Sequence, residues 1–168
     1  MAIYARKQNT TYANPPEGLH PAVCVDVIDL GELPTAWGPK PKIELRWQLD
    51  EINPETQKPF QVRARFTNSL HEKAILRQTL ETWRARKFTA DELKGWDLEK
   101  LIGVCAQVQI IHAPGDEGRV WANVQAVVPF PKGMVKMKAR DYVREQDRVA
   151  ETTNGHAKKE EDEDDIPF

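Results

Sequence analysis

Two-fold alternation of apolar and polar side chains marks most of the body of this chain as β-strand. In residues 42–51, Ile43, Leu45, Trp47 and Leu49 alternate with Lys42, Glu44, Arg46 and Gln48, which puts the first set on a core face and the second outward. Residues 60–67 repeat the pattern, with Phe60, Val62, Ala64 and Phe66 inward and Gln61, Arg63, Arg65 and Thr67 outward. The turn-forming run Asn53-Pro54-Glu55-Thr56-Gln57-Lys58-Pro59 between them predicts a hairpin. An earlier β-branched run over 22–30 predicts a first strand, with Val23, Val25 and Val27 on one face and Cys24, Asp26 and Ile28 on the other. Two later strands follow, one around Val104, Ala106, Val108 and Ile110, the other with Val120, Ala122, Val124, Ala126 and Val128 inward and Trp121, Asn123 and Gln125 outward. Pro114-Gly115-Asp116-Glu117-Gly118 supplies the turn between them.

The period changes between the third and fourth strands. Ser69 with Glu72 reads as a capping box opening a helix over about 70–84, whose apolar stripe is Leu76, Leu80 and Trp83. Thr89 with Glu92 reads as a second box before a short helix ending near Gly95, and Leu98, Leu101 and Ile102 as one more packed turn. Three strands, a helical insert and two strands make an all-β chain in the order β1-β2-β3-α-β4-β5. That is the order of the OB-fold, a small five-stranded barrel whose second and third strands and adjoining loops bind single strands and oligosaccharides. The expected organisation is an arm over 1–20, the barrel over 21–131, a basic extension over 132–150 and a disordered acidic tail over 151–168. The extension, with Lys132, Lys136, Lys138, Arg140, Arg144 and Arg148, is compatible with a short helix from Ala139 to Val149 or with no fixed structure.

Charge sharpens this division. The net charge of −2 combines a tail at −5, where seven acids face Lys158 and Lys159, with a body at +3. No run is apolar enough to span a membrane and the opening residues lack a signal peptide's apolar stretch, so a cytoplasmic protein is expected. Cys24 and Cys105 sit in apolar strands and are expected as buried free thiols. His20, His71, His112 and His156 are scattered, and neither a phosphate loop nor a nucleophile motif is present. No catalytic residue, metal site or cofactor is therefore expected.

Binding a single strand without reading its sequence needs cations along the phosphates and flat side chains for unpaired bases. The candidates are Trp37, in the loop after the first strand, with Lys40 and Lys42 beside it. Arg46, Arg63 and Arg65 form the outer row of the hairpin, Trp121 lies on the fifth strand, and His112 borders the last hairpin. Trp47 and Trp83 are placed in the core by their periodicity. In the arm, Tyr4, Arg6, Lys7 and Tyr12 either touch a strand of nucleic acid or cover one end of the body.

The sequence closes on Asp162-Glu163-Asp164-Asp165-Ile166-Pro167-Phe168, six consecutive acids from Glu160 followed by an apolar triplet. This stretch resembles the C-terminal tip of bacterial single-stranded DNA-binding proteins, which implies docking of host or phage replication and repair proteins at a coated strand. The body, through Ile43-Glu44-Leu45-Arg46-Trp47, Asn68-Ser69-Leu70-His71-Glu72-Lys73, Leu80-Glu81-Thr82-Trp83-Arg84-Ala85-Arg86, Phe88-Thr89 and Leu101-Ile102-Gly103, is similar to small phage- and prophage-encoded proteins held to be OB-fold single-strand binders. It lacks the opening strand pattern and long linker of the bacterial housekeeping family, so a monomer or dimer is expected over that family's tetramer. These resemblances imply a non-sequence-specific single-stranded DNA-binding protein acting in replication or recombination, in a bacterial or phage-infected cell. The alternative is an OB-fold adaptor that binds protein and uses the tip to commandeer host enzymes.

Overall fold

A computed structural model of the chain describes residues 13–148. The arm residues Tyr4, Arg6, Lys7 and Tyr12 and the acidic tail over 151–168 lie outside the described residues. Five antiparallel strands, β1 (Gly18–Leu33), β2 (Lys40–Asn53), β3 (Lys58–Thr67), β4 (Cys105–Pro114) and β5 (Val120–Pro129), form one sheet in the order β3-β2-β1-β4-β5. Between β3 and β4 come helices α1 (Ile75–Arg84) and α2 (Ala90–Leu93) and a 3-10 turn at Leu98–Leu101. The sheet curls so that its edge strands β3 and β5 both touch α1 and approach each other. No ladder joins them among the described residues.

The core fills the inside of this curl. Ile43, Leu45, Trp47 and Leu49 of β2, Phe60, Val62 and Phe66 of β3, and Ala106, Val108 and Ile110 of β4 are buried there with Leu76, Leu80 and Trp83 of α1. Each such large apolar side chain contributes about 1.5–3 kcal/mol by leaving water. Trp83 ties the insert to the sheet, its ring centroid 5.9 Å from that of Trp47 and its Nε1 donating to the Cys105 carbonyl at 3.0 Å. Cys24 and Cys105 are buried free thiols, and burial pushes the Cys24 thiol up to about 12.

Two of the register shifts change which residues face the core. Beside β2, the register steps from Cys24↔Trp47 to Asp26↔Arg46, leaving Val25 unpaired. The extra residue reverses the strand's parity, so Ala22, Cys24 and Val27 face the core while Val23, Val25 and Asp26 share the outer face. In β5 the register steps from Gln109↔Ala126 to Ile110↔Val124. Gln125 is the extra residue, and Val127 enters the core where alternation had pointed to Ala126 and Val128.

The Ser69–Glu72 capping box does not form. Ser69 Oγ instead accepts from the His71 amide at 3.1 Å and His71 Nδ1 from the Lys73 amide at 3.2 Å, so local turns occupy 69–73. The helix starts at Ile75 behind Ala74, without a side-chain cap. The Thr89–Glu92 box forms in both directions. The loop after the first strand is confined to 34–39 because β1 and β2 pair as far as Leu33↔Lys40. β1 also reaches back to Gly18, so the end of the 1–20 segment belongs to the sheet.

The largest departure lies in the basic extension. Residues 131–148 are neither a helix from Ala139 nor separate from the body. They cross the outer face of β1 and β2 as an irregular strap ending in a helical turn at 145–148. Phe130, Met137 and Tyr142 pack on Val23, Val25 and Cys105, making a small second core. Gln48 clamps the strap backbone, its Nε2 donating to the Arg140 carbonyl and its Oε1 accepting from the Arg140 amide, each at 2.8 Å.

Candidate nucleic-acid interface

On the outer face of β2 and β3 the register pairs Lys42↔Thr67, Glu44↔Arg65, Arg46↔Arg63 and Gln48↔Gln61, so the four hairpin cations do share one face. The strap divides them. Glu44 is 1% exposed beneath it, accepting from Arg46 Nε at 2.6 Å and from Arg65 Nε at 3.0 Å. Burial pushes the Glu44 carboxyl up, but these two guanidinium hydrogen bonds outweigh burial and hold it below its ordinary value. Arg46 is 17% exposed and also reaches Glu145 and the Tyr142 hydroxyl at 3.4 Å. It is a structural cation under the strap, and the outward position read from alternation is not a solvent position here.

Beyond the strap the row is open. Arg63 is exposed, Arg65 is 58% exposed despite its bond to Glu44, Lys40 is exposed, and Lys42 Nζ donates to Thr67 Oγ1 at 2.7 Å. At the tip of the β1–β2 hairpin, Thr35 and Gly38 exchange backbone hydrogen bonds at 3.1 Å, and Thr35 Oγ1 accepts from the Trp37 amide at 3.1 Å. Gly38 takes a positive φ of 97°, open to a residue without a Cβ. This tight turn holds Trp37 87% exposed, with no core beneath it.

Trp121 and Arg63 meet at a groove of about 430 Å³ between the β2–β3 turn, β3 and β5. Trp121 is 51% exposed and its indole lies over Gly115, where a Cβ would collide with the ring. The chain entering β1 forms another wall: Asn14 Nδ2 donates to the Val120 carbonyl at 2.8 Å. His112 fastens that entry, its ring Nε2 donating to the Pro15 carbonyl at 2.7 Å and its amide to Glu17 Oε2 at 2.9 Å. Its ring is therefore engaged in holding the groove wall.

Lys58, Asn14 and Pro15 line the groove, and the sequence pattern did not single them out. The strap does leave a signal in the sequence. Asp26 and Glu44 are carboxylates in the middle of otherwise apolar strands, and such groups need partners; a later arginine-rich segment offers them.

The arrangement presents cations on β2 and β3 together with two exposed indoles, the two kinds of group that a polyanion and its unpaired bases call for. Among the described residues no cluster of His, Cys, Asp and Glu that could hold a metal ion is present, and no helix is long and apolar enough to cross a membrane. No protein-family model matches the chain, and no curated protein matches it.

Proposed function

We propose that the sheet closes as an OB-fold barrel and that this protein binds single-stranded DNA without sequence specificity. The observation that carries the reading is the groove joining Arg63 to Trp121, continued along β3 by Arg65 and towards Trp37 by Lys42 and Lys40. The strand order β3-β2-β1-β4-β5, with β3 and β5 approaching beside α1, supports the fold reading, because pairing those two edges completes a five-stranded Greek-key barrel. Phosphates would lie along the open cations, and bases would stack on Trp121 and Trp37. The acidic segment carrying Ile166-Pro167-Phe168 would recruit replication or repair proteins to the coated strand by apolar insertion and charge attraction.

The adaptor reading has one observation in its favour, the strap that withdraws Arg46 and the centre of the β1–β2 face from solvent. Titration of an unstructured oligonucleotide against intrinsic tryptophan fluorescence separates the two, because an adaptor has no reason to quench with DNA.

A further inference from the structure

A second cavity, of about 460 Å³, lies between the C-terminal half of α1, the 3-10 turn and the start of β4, away from the groove. Its apolar lining includes Trp83, Trp96, Leu101 and Val104. Val104, just ahead of β4, is 42% exposed, although the apolar alternation of Val104, Ala106, Val108 and Ile110 had placed it in the strand's inward set. Three cations, Arg84, Arg86 and Lys100, line the same cavity against one carboxylate, Glu92.

The charges are unevenly used. Arg84 gives Nη2 to Glu92 at 2.8 Å and lies over the rings of Phe88 and Trp96, 4.6 Å and 5.7 Å from their centroids, while its Nη1 is shielded and has no partner among the described residues. The exposed side chains of Arg86 and Lys100 form no ion pair among the described residues. An apolar cavity with a cationic margin suits a ligand carrying bulky apolar side chains and carboxylates together. A nucleic-acid backbone would satisfy the cations but would leave the aliphatic lining without a match.

The chain itself contains such a ligand. Asp162-Glu163-Asp164-Asp165 precedes Ile166-Pro167-Phe168, and the strap brings the chain to the cavity's edge. Arg144 donates to Glu99 at 2.9 Å, and the next residue, Lys100, is in the cavity wall. About twenty further residues span up to ~70 Å when extended, so reach is not limiting. A tethered segment also sits at an effective concentration in the millimolar range, at which weak contacts suffice.

We infer that this cavity holds the chain's own acidic segment, with Ile166 and Phe168 against the Trp96–Leu101–Val104 lining and the acids against Arg86 and Lys100. The segment so held is withheld from other proteins until one with a better pocket competes for it. This inference does not rest on the single-strand reading.

The test uses the full chain with Phe168 replaced by the photo-crosslinking residue p-benzoylphenylalanine, in a mixture of light and isotopically heavy protein. Irradiation is expected to give crosslinks within one molecule to residues 96–104. In the double variant Arg86→Glu, Lys100→Glu their yield should fall about tenfold, with the melting temperature unchanged because both side chains are exposed. Crosslinks to the Arg63–Trp121 groove, crosslinks only between light and heavy copies, no crosslinks at all, or a yield unmoved by the charge reversal would each overturn the inference.

Discussion

The Tyr142 hydroxyl donates to the Asp26 carboxylate at 2.6 Å, across 116 residues of sequence. The same carboxylate accepts from Arg144 Nε at 3.1 Å and from the Glu145 amide at 2.9 Å. The Val25 bulge turns Asp26 to the outer face, and the strap arrives there to satisfy it. Turn, acid and strap form one device, because the carboxylate is 1% exposed and would cost several kcal/mol if left without partners.

Removing part of that device should unfold the strap and weaken the whole domain. Tyr142→Phe removes one hydrogen bond to a charged group and is expected to cost about 1.5–3 kcal/mol. Asp26→Asn, which also strips Arg144 of its buried partner, should cost about 3 kcal/mol or more. Urea unfolding measures both, and tryptic cleavage at Lys136 and Lys138 should accelerate in each variant. Wild-type stability in Asp26→Asn would contradict the role given to the strap.

Acid should act through the two buried carboxylates, Asp26 and Glu44. Burial pushes Asp26 up, but the bonds from Tyr142, the Glu145 amide and Arg144 together hold it below its ordinary value, as Arg46 and Arg65 do for Glu44. With folded pKa values lowered, the unfolded chain binds more protons. The associated stability is therefore full above about pH 5 and is lost as pH falls through about 4 and below. Urea midpoints at falling pH should show this decline, and Asp26→Asn should flatten it.

The helix end offers an independent check of local geometry. Ala85 closes α1 in the left-handed region at φ 57°, with the Arg86 amide returning to the Glu81 carbonyl. A Cβ is strained there, so Ala85→Gly should raise stability by about 0.5–1 kcal/mol, read as an increase in melting temperature. A decrease would mean that the residue has another conformation.

The cations divide into two groups by what their loss should do. Arg63→Ala should leave stability unchanged and reduce the salt dependence of oligonucleotide binding by about one phosphate contact, a slope change near 0.7. Arg46→Ala should cost about 3 kcal/mol of stability by leaving Glu44 without its closest partner. Trp37→Ala and Trp121→Ala should each weaken binding by about 1–3 kcal/mol, Trp37 with no loss of stability because almost nothing covers it. Salt-titrated binding and urea unfolding on the four variants check the division.

Five strands, their order and the inward set of β2 and β3 were legible because alternation there runs unbroken from Ile43 to Leu49 and from Phe60 to Phe66. So were the α1 stripe and the Thr89–Glu92 box, which depend on neighbours in sequence. The bulges at Val25 and Gln125 were not, since a single extra residue leaves no mark in composition and is set by cross-strand pairing. The Ser69–Glu72 box misled because Ser69 serves an earlier turn as readily as a helix. Of the candidate site, exposure of Trp37, Trp121, Arg63 and Arg65 follows from local position. The sequestration of Arg46 and the fastening role of His112 follow from segments about 100 residues away in sequence, Glu145 and Pro15, and no local pattern contains them.

Titration of an oligothymidine against intrinsic tryptophan fluorescence at two or more salt concentrations tests single-strand binding by this protein. Saturable quenching is expected, diminished in Trp37→Ala and Trp121→Ala, with an affinity that falls with salt along a log-log slope near −0.7 for each phosphate contacted. No quenching, or binding that salt does not weaken, would mean that this face does not hold a single strand.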